Sequence, residues 1–296
     1  MKGKRKQQRM KQELLEEEKK LAEETKQETP AEEEKPKEIW EKFKKEEPKK
    51  KKPKGLTGFH IKIIACLSML FDHIAAIFID EGYLILHPNI EEAPDWMAHL
   101  DFAMRAFGRL AFPLFCFLMI EGYFHTRNKL KYLRNLIIFG VISEVPFDMA
   151  FNRSFCDWSG QNVFFTLALG LLTVWGIDFF TKGSFMKADP KSKLGAIFVV
   201  TVACIAAFFI HCDYIWLGIL VVLFMYIYRK SHGISAAGLV FLFVLYNPLE
   251  LFSMIDFAIL PLYNGERRHN LKYAFYIFYP AHILILAIIR KITMGI

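Results

Sequence analysis

The sequence predicts an all-α protein: a polytopic helix bundle embedded in a membrane, with about nine transmembrane helices and a charged N-terminal extension in the cytoplasm. Three observations predict it. The 296 residues are 53% hydrophobic, with 29 Phe, and the mean hydropathy is +0.23. Yet residues 1–54 hold 19 of the 38 Lys and Arg and 14 of the 31 Asp and Glu, so the rest of the chain is far more apolar than a soluble domain. Apolar stretches approaching the roughly 20 residues that cross a bilayer then recur along the chain. Between them, basic and acidic connections alternate. Collagen, a disulfide scaffold and a soluble α/β enzyme are excluded. The net charge of +7 sits mostly in the head, so no nucleic-acid partner is expected; membrane lipids are.

Residues 1–58 read as a cytoplasmic arm and 59–296 as the membrane domain. Within the arm, residues 11–26 are rich in Glu and Lys, as in a solvated helix with i,i+4 pairs. Pro30, Pro36, Pro48 and Pro53 interrupt the rest. The lysines at 49–52 and Lys54 precede the first apolar stretch, where a polybasic segment binds anionic lipid and holds the N-terminus inside. A charged head more than fifty residues long, with no short apolar core, is not a signal peptide.

The crossings are read near 60–80, 104–123, 135–151, 161–180, 194–211, 213–228, 234–247, 251–263 and 273–289. The third, sixth and seventh are short, and the eighth is too short to cross unaided. Basic connections carry Arg127, Lys129, Lys131 and Arg134, then Lys182, Lys187, Lys191 and Lys193, then Arg229 and Lys230, then Arg267, Arg268 and Lys272. Acidic ones carry Glu81, Glu91, Glu92, Asp95 and Asp101, then Asp157, then Asp213, then Glu250 and Asp256. Only Arg290 and Lys291, at the outer C-terminus, break the alternation. Cys66, Cys116 and Cys204 read as packing residues. Cys156 and Cys212 share the expected outer face, where a disulfide is one reading. No spacing points to a metal. No internal repeat is visible, which counts mildly against an inverted-repeat transporter.

Ionisable groups inside apolar spans are candidates for function because charge there is expensive. The first span carries Lys62 near its inner end and Asp72 and His73 deeper in. Lys62 and His73 are eleven residues apart, three helical turns or about 16.5 Å, and so share a face; Asp72 points about 100° away. Arg105 and Arg109 lie at i,i+4 in the second span with Pro113 behind them, and Glu144 and Asp148 at i,i+4 in the third. His73, Arg109, Glu144 and Asp148 share a depth, Gln161, Asn162 and Thr166 open the fourth span from that side, and His282 lies in the ninth. An imidazole beside a carboxylate is a general base. Arg109 either holds a carbonyl oxygen or neutralises Glu144, and the arginine–carboxylate set also reads as purely structural ion pairs.

Several stretches resemble one family: HIKIIACLSMLFDHIAAIF (60–78), GRLAFPLFCFLMIEGYFHTRN (108–128), KYLRNLIIFGVISEVPFD (131–148), QNVFFTLALGLL (161–172) and YNGERRHNLKYAFYIFYPAHILIL (263–286). Together they look like TraX, the conjugal-transfer family, over nearly everything after residue 58. The resemblance implies an integral membrane acetyltransferase of the bacterial inner membrane; the founding activity is N-terminal acetylation of pilin subunits. The family is similar to the wider membrane acyltransferase superfamily, which includes bacterial O-acetyltransferases and the lysosomal heparan-glucosaminide acetyltransferase. Members place a His in the first span, and O-acetyltransferases often have a basic residue eleven positions earlier. Lys62 and His73 match, with Lys in place of the usual Arg, a point charge rather than a bidentate fork.

That resemblance implies acetyl-CoA as co-substrate and no metal. Its phosphates suit a basic inner mouth of Lys62, Arg127, Lys131 and Arg134. His73 then deprotonates an amine or hydroxyl acceptor, on a protein or a glycan, or carries the acetyl group itself. Arg109 or Asn162 steadies the oxyanion, worth about 3 kcal/mol per donor. The alternative is a secondary transporter or proton-coupled protein with Asp72, His73, Glu144 and His282 as a polar path. A third reading is a non-catalytic membrane component whose basic arm recruits a partner.

Overall fold

The computed structural model describes residues 54–80, 82–83, 94–229, 248–266 and 272–295. The arm lies almost wholly outside the described residues. So do the seventh expected crossing (234–247) and Glu81, Glu91, Glu92, Lys230, Arg267 and Arg268.

Helix α1 (Gly58–Ile74) begins at a capping box: the Thr57 side chain accepts the His60 backbone N–H, and the His60 ring accepts the Thr57 N–H at 3.1 Å. It continues as a π-helix, Ala75–Asp80. Next come α2 (Asp95–Gly108) and α3 (Ala111–His125), which together make one apolar run of 31 residues. The crossing expected at 104–123 therefore starts earlier and is broken at Arg109 and Leu110. Pro113 explains the break, because it has no N–H to offer the Arg109 carbonyl. Gly108 brings α2 hard against α1: a Cβ there would stand 2.4 Å from that of Asp72. The Ser68 hydroxyl fastens the same junction, reaching the carbonyls of Phe107 and Gly108 at 2.8 and 3.1 Å.

Asn128 caps α4 (Lys129–Phe147) by accepting the Lys131 N–H at 2.7 Å. That helix runs into a π-turn, Asp148–Asn152, which ends at Arg153 with φ 53°. Asn162 caps α5 (Val163–Thr181). Asp189 caps α6 (Pro190–Phe209), with proline at its first position. After α7 (Ile215–Ile227), residues Pro248–Ile255 and Leu260–Leu262 are 3₁₀ turns flanking the four-residue α8 (Asp256–Ile259). The long α9 (Lys272–Met294) contains Pro280. The eighth expected crossing, 251–263, is thus no spanning helix. It folds into short turns packed on α2, with Glu250, Ser253 and Asp256 buried.

The helices close a ring. α1 packs on α3, α3 on α7, α7 on α5, α5 on α4, α4 on α9, and α9 back on α1. Outside the ring, α2 lies against α1, and α6 against α5 and α7. Ile61, Leu114, Ile120, Leu171, Leu217 and Ile283 belong to the buried core. Outward, α4 exposes Ile137, Val141 and Val145, and α6 exposes Leu194, Phe198, Val202 and Phe209. Among the described residues five segments are long and apolar enough to cross a membrane: Gly58–Asp80, Asp95–His125, Val163–Lys187, Pro190–Phe209 and Tyr273–Met294. α4, with Lys129, Lys131, Arg134 and Glu144, and α7, with 13 residues, are not among them. Apolar helices with bare apolar flanks mark a multi-pass membrane protein.

Arg290, the exception in the charge alternation, is 2% exposed. It donates to the carbonyls of Ala150 and Met149 at 2.7 and 2.9 Å, carbonyls of the π-turn after α4. It is a packing charge that ties α9 to α4. The Cys156–Cys212 disulfide is not formed: both thiols are free, Cys156 exposed and Cys212 buried, the latter in a loop bridged to Gln161. Arg290→Ala leaves two buried carbonyls without donors. We expect a loss of about 2–3 kcal/mol, read as a lower melting temperature of the purified protein; an unchanged melting temperature contradicts this role.

Candidate functional site

The last turn of α1 aims His73 into the ring, where it meets His282 of α9. His73 Nδ1 and His282 Nε2 are 2.8 Å apart, and the two imidazoles meet edge to edge, with centroids 5.0 Å apart and planes 6° from parallel. His282 Nδ1 lies 2.7 Å from the Phe278 carbonyl oxygen. Phe278 stacks on His282 at 4.6 Å, while Phe151 and Tyr279 meet His73 edge-on at 5.4 and 6.1 Å. The two histidines singled out in separate spans thus form one pair in an aromatic cage.

Asp72 does not serve that pair. It turns to α2, taking Arg105 at 3.1 Å and Arg109 at 2.5 Å. Arg109 also reaches Glu250 at 2.9 Å, whose side chain is 2% exposed. The expected pairing of Arg109 with Glu144 is therefore not made; Pro113 and the break before α3 direct the guanidinium towards the 3₁₀ segment instead. Glu144 accepts from Asn162, which also donates to the Gly140 carbonyl at 2.9 Å. Asn162 consequently joins α4 to α5, and does not stand among the basic residues expected to hold phosphates. Asp148 is 1% exposed and organises the turn after α4, accepting from Asn152 at 3.1 Å and the Asp157 N–H at 2.9 Å. In the loop beyond that turn Ser159, by its hydroxyl and backbone N–H, holds the Asp157 carboxyl below the ordinary range.

Between α1, α3, α4, α5 and α9 lies a cavity of about 480 Å³, within the usual range for small-molecule sites. Lys62 and Arg127 supply cations to its wall, and Phe164, Phe275 and Tyr276 supply rings. Lys62 stands 5.2 Å over the Phe275 ring. Lys131 and Arg134 lie on α4 and are not among the lining residues. His73 does not line the cavity either. Tyr279, which meets His73 edge-on, also packs edge-on against the lining residue Phe164 at 5.1 Å. Phe164 and Tyr279 thus form an aromatic layer that links the cavity wall to the imidazole by ring contacts.

Three acids of this region escape a reading by span. Glu121 is 7% exposed on the cavity wall, pairs with Arg229 at 2.7 Å and accepts from Tyr263 at 3.4 Å; it stands within the GRLAFPLFCFLMIEGYFHTRN stretch, its one carboxylate. Asp178 of α5 accepts from Tyr123 and Tyr226 and lies 3.5 Å from Lys129. Glu250 reads in the sequence only as an acid of the last acidic connection.

An imidazole pair inside a ring of apolar helices, beside a cavity with cations at one end, defines a multi-pass membrane protein with a polar centre. The chain belongs to the TraX family: the family model described as TraX protein matches residues 58–290. It is also similar to the "Probable fimbrial assembly protein FimC, serogroup H1" of Dichelobacter nodosus. The two are 33% identical over 78% of this chain and 94% of the relative. No solved structure matches it.

Arg109 neutralises the half-buried Asp72 and the buried Glu250, from two other elements. Arg109→Ala is expected to cost about 3–5 kcal/mol, seen as a large drop in melting temperature. Wild-type melting would show that the node carries no stability.

Proposed function

We propose that this protein is an integral membrane acetyltransferase of the bacterial inner membrane, with its N-terminus inside. It moves an acetyl group from cytoplasmic acetyl-CoA to an amine or hydroxyl. The observation that carries the proposal is that Lys62, on the cavity wall, shares one face of α1 with His73. Eleven residues of α1 lift the imidazole about 16.5 Å above the ammonium. The cavity with Lys62 and Arg127 faces the cytoplasm and takes the phosphates; Lys131 and Arg134 add to the field outside it. Arg229 neutralises Glu121, so the wall stays cationic overall.

The acyl end passes the Phe164–Tyr279 layer to reach His73. His73 either takes the proton of the acceptor as its nitrogen or oxygen attacks the thioester carbon, or attacks first and carries the acetyl group. In the direct route the C–S bond breaks and the thiolate takes the acceptor's proton back from the imidazole; in the carrier route the thiolate takes the ring N–H proton of the acetylated imidazole, and the acceptor then breaks the N–acetyl bond and returns its proton to the ring. Arg109 and Asn162 hold the neighbouring carboxylates, Asp72 with Glu250 and Glu144, and so keep the polar centre in shape. The name of the fimbrial relative supports a pilin subunit as acceptor; a cell-surface glycan is the other acceptor class. The protein lies within the wider membrane acyltransferase superfamily.

Acetyl transfer by purified protein tests this directly. His73→Ala is expected to abolish it, and Lys62→Ala to raise KM for acetyl-CoA with kcat largely kept. Unaltered transfer by His73→Ala removes the proposed base, and proton-coupled flux in liposomes without acetyl-CoA would replace the enzyme by a transporter. Orientation has its own test: an impermeant thiol reagent should label the exposed Cys156 from outside only, and labelling from the cytoplasm overturns the proposed orientation.

A further inference from the structure

We infer that His282 is the positioning residue that fixes the tautomer of His73 and receives, through it, the proton that the acceptor gives up. The inference rests on the reading of His73 as base or carrier.

A carbonyl oxygen only accepts, so the 2.7 Å contact between His282 Nδ1 and the Phe278 carbonyl requires the proton of His282 to sit on Nδ1. A neutral imidazole has one N–H, which leaves His282 Nε2 as an acceptor. The ring nitrogen facing it at 2.8 Å is His73 Nδ1, which must therefore carry the proton of His73. His73 Nε2 is then the nitrogen with the free lone pair. In a pair of neutral imidazoles no other assignment satisfies both contacts.

The aromatic cage holds the arrangement. Phe278 stacks on His282, His73 meets it edge to edge, and Phe151 and Tyr279 press on His73. Asp72, the carboxylate next to His73 in sequence, is held by Arg105 and Arg109. An imidazole thus occupies the place that a carboxylate takes in a hydrolase triad. It orients the base through the same ring nitrogen, and it puts no fixed negative charge beside it.

The proton balance closes. As the acceptor attacks, its proton moves to His73 Nε2. The proton already on His73 Nδ1 can then pass over 2.8 Å to His282 Nε2, so the positive charge is shared by two rings. When the C–S bond breaks, the thiolate takes the proton from His73 Nε2, His282 returns its own to His73 Nδ1, and both rings are neutral again.

The test uses full-length protein with ¹⁵N-labelled histidine in lipid nanodiscs, with the His73 signals identified by their loss in His73→Ala. In wild type, His73 Nδ1 should show the protonated shift and Nε2 the unprotonated one. His282→Ala should abolish that preference. His282→Gln places an amide oxygen near the old Nε2 and should restore it, while being unable to take a proton. Acetyl transfer should accordingly fall about 100-fold in His282→Ala and recover about tenfold in His282→Gln. Nε2-protonated His73 in wild type, or an unchanged tautomer in His282→Ala, overturns the inference. Transfer in His282→Gln no better than in His282→Ala overturns the tautomer as its cause. The expected tautomer in a wild-type protein that transfers no acetyl group would sustain the assignment and sink the acetyltransferase reading, so the two failures are distinguishable.

Discussion

The contact between His73 and His282 joins residues 209 positions apart and closes the helical ring at its centre. α1 and α9 are the first and last helices described, and they bring one imidazole each. Everything else in the bundle makes that meeting specific. Ser68 and Gly108 lock α2 against the turn of α1 that precedes His73. Arg290 fixes the far end of α9 to the π-turn of α4, about two turns beyond His282. Phe151, from that same π-turn, then covers His73.

The second constraint is the separation of charge from the imidazole pair. Asp72 adjoins His73 in the chain, yet Gly108 lets α2 approach closely enough for Arg105 and Arg109 to take the carboxylate. Arg109 is shared with Glu250, so the node holds two guanidinium groups and two carboxylates. A buried ion pair contributes little net stability, but loss of one partner is costly. The node therefore acts as a fixed joint between α1, α2 and the 3₁₀ segment. At the opposite end of α1, Lys62 and Arg127 remain on the cavity wall.

Much of this is readable in the order of residues. Charge inside apolar spans points to Asp72, His73, Arg109, Glu144 and His282, because lipid makes every such group expensive. The eleven-residue step from Lys62 to His73 puts both on one face by helical geometry alone. Partnership is what the order of residues does not carry. His73 and His282 share no periodicity; only the closing of the ring brings them together. Arg109 misses Glu144 because Pro113 breaks the run behind it, which re-aims the side chain towards Glu250. Arg290 looks like a misplaced topology signal until α9 is seen against the carbonyls of the π-turn. Asn162 looks like a ligand-binding amide, whereas its position before α5 makes it a helix cap first.

The claim on which the account turns is that a thioester entering from the Lys62 end reaches His73 from inside the ring. A cryo-EM structure with a non-hydrolysable acetyl-CoA analogue in nanodiscs tests it most directly. The account predicts phosphates against Lys62 and Arg127, the Phe164–Tyr279 layer parted, and the acyl carbon about 3–3.5 Å from His73 Nε2. An analogue bound with its acyl end pointing away from the ring, or with the aromatic layer closed between it and the imidazole, would contradict it.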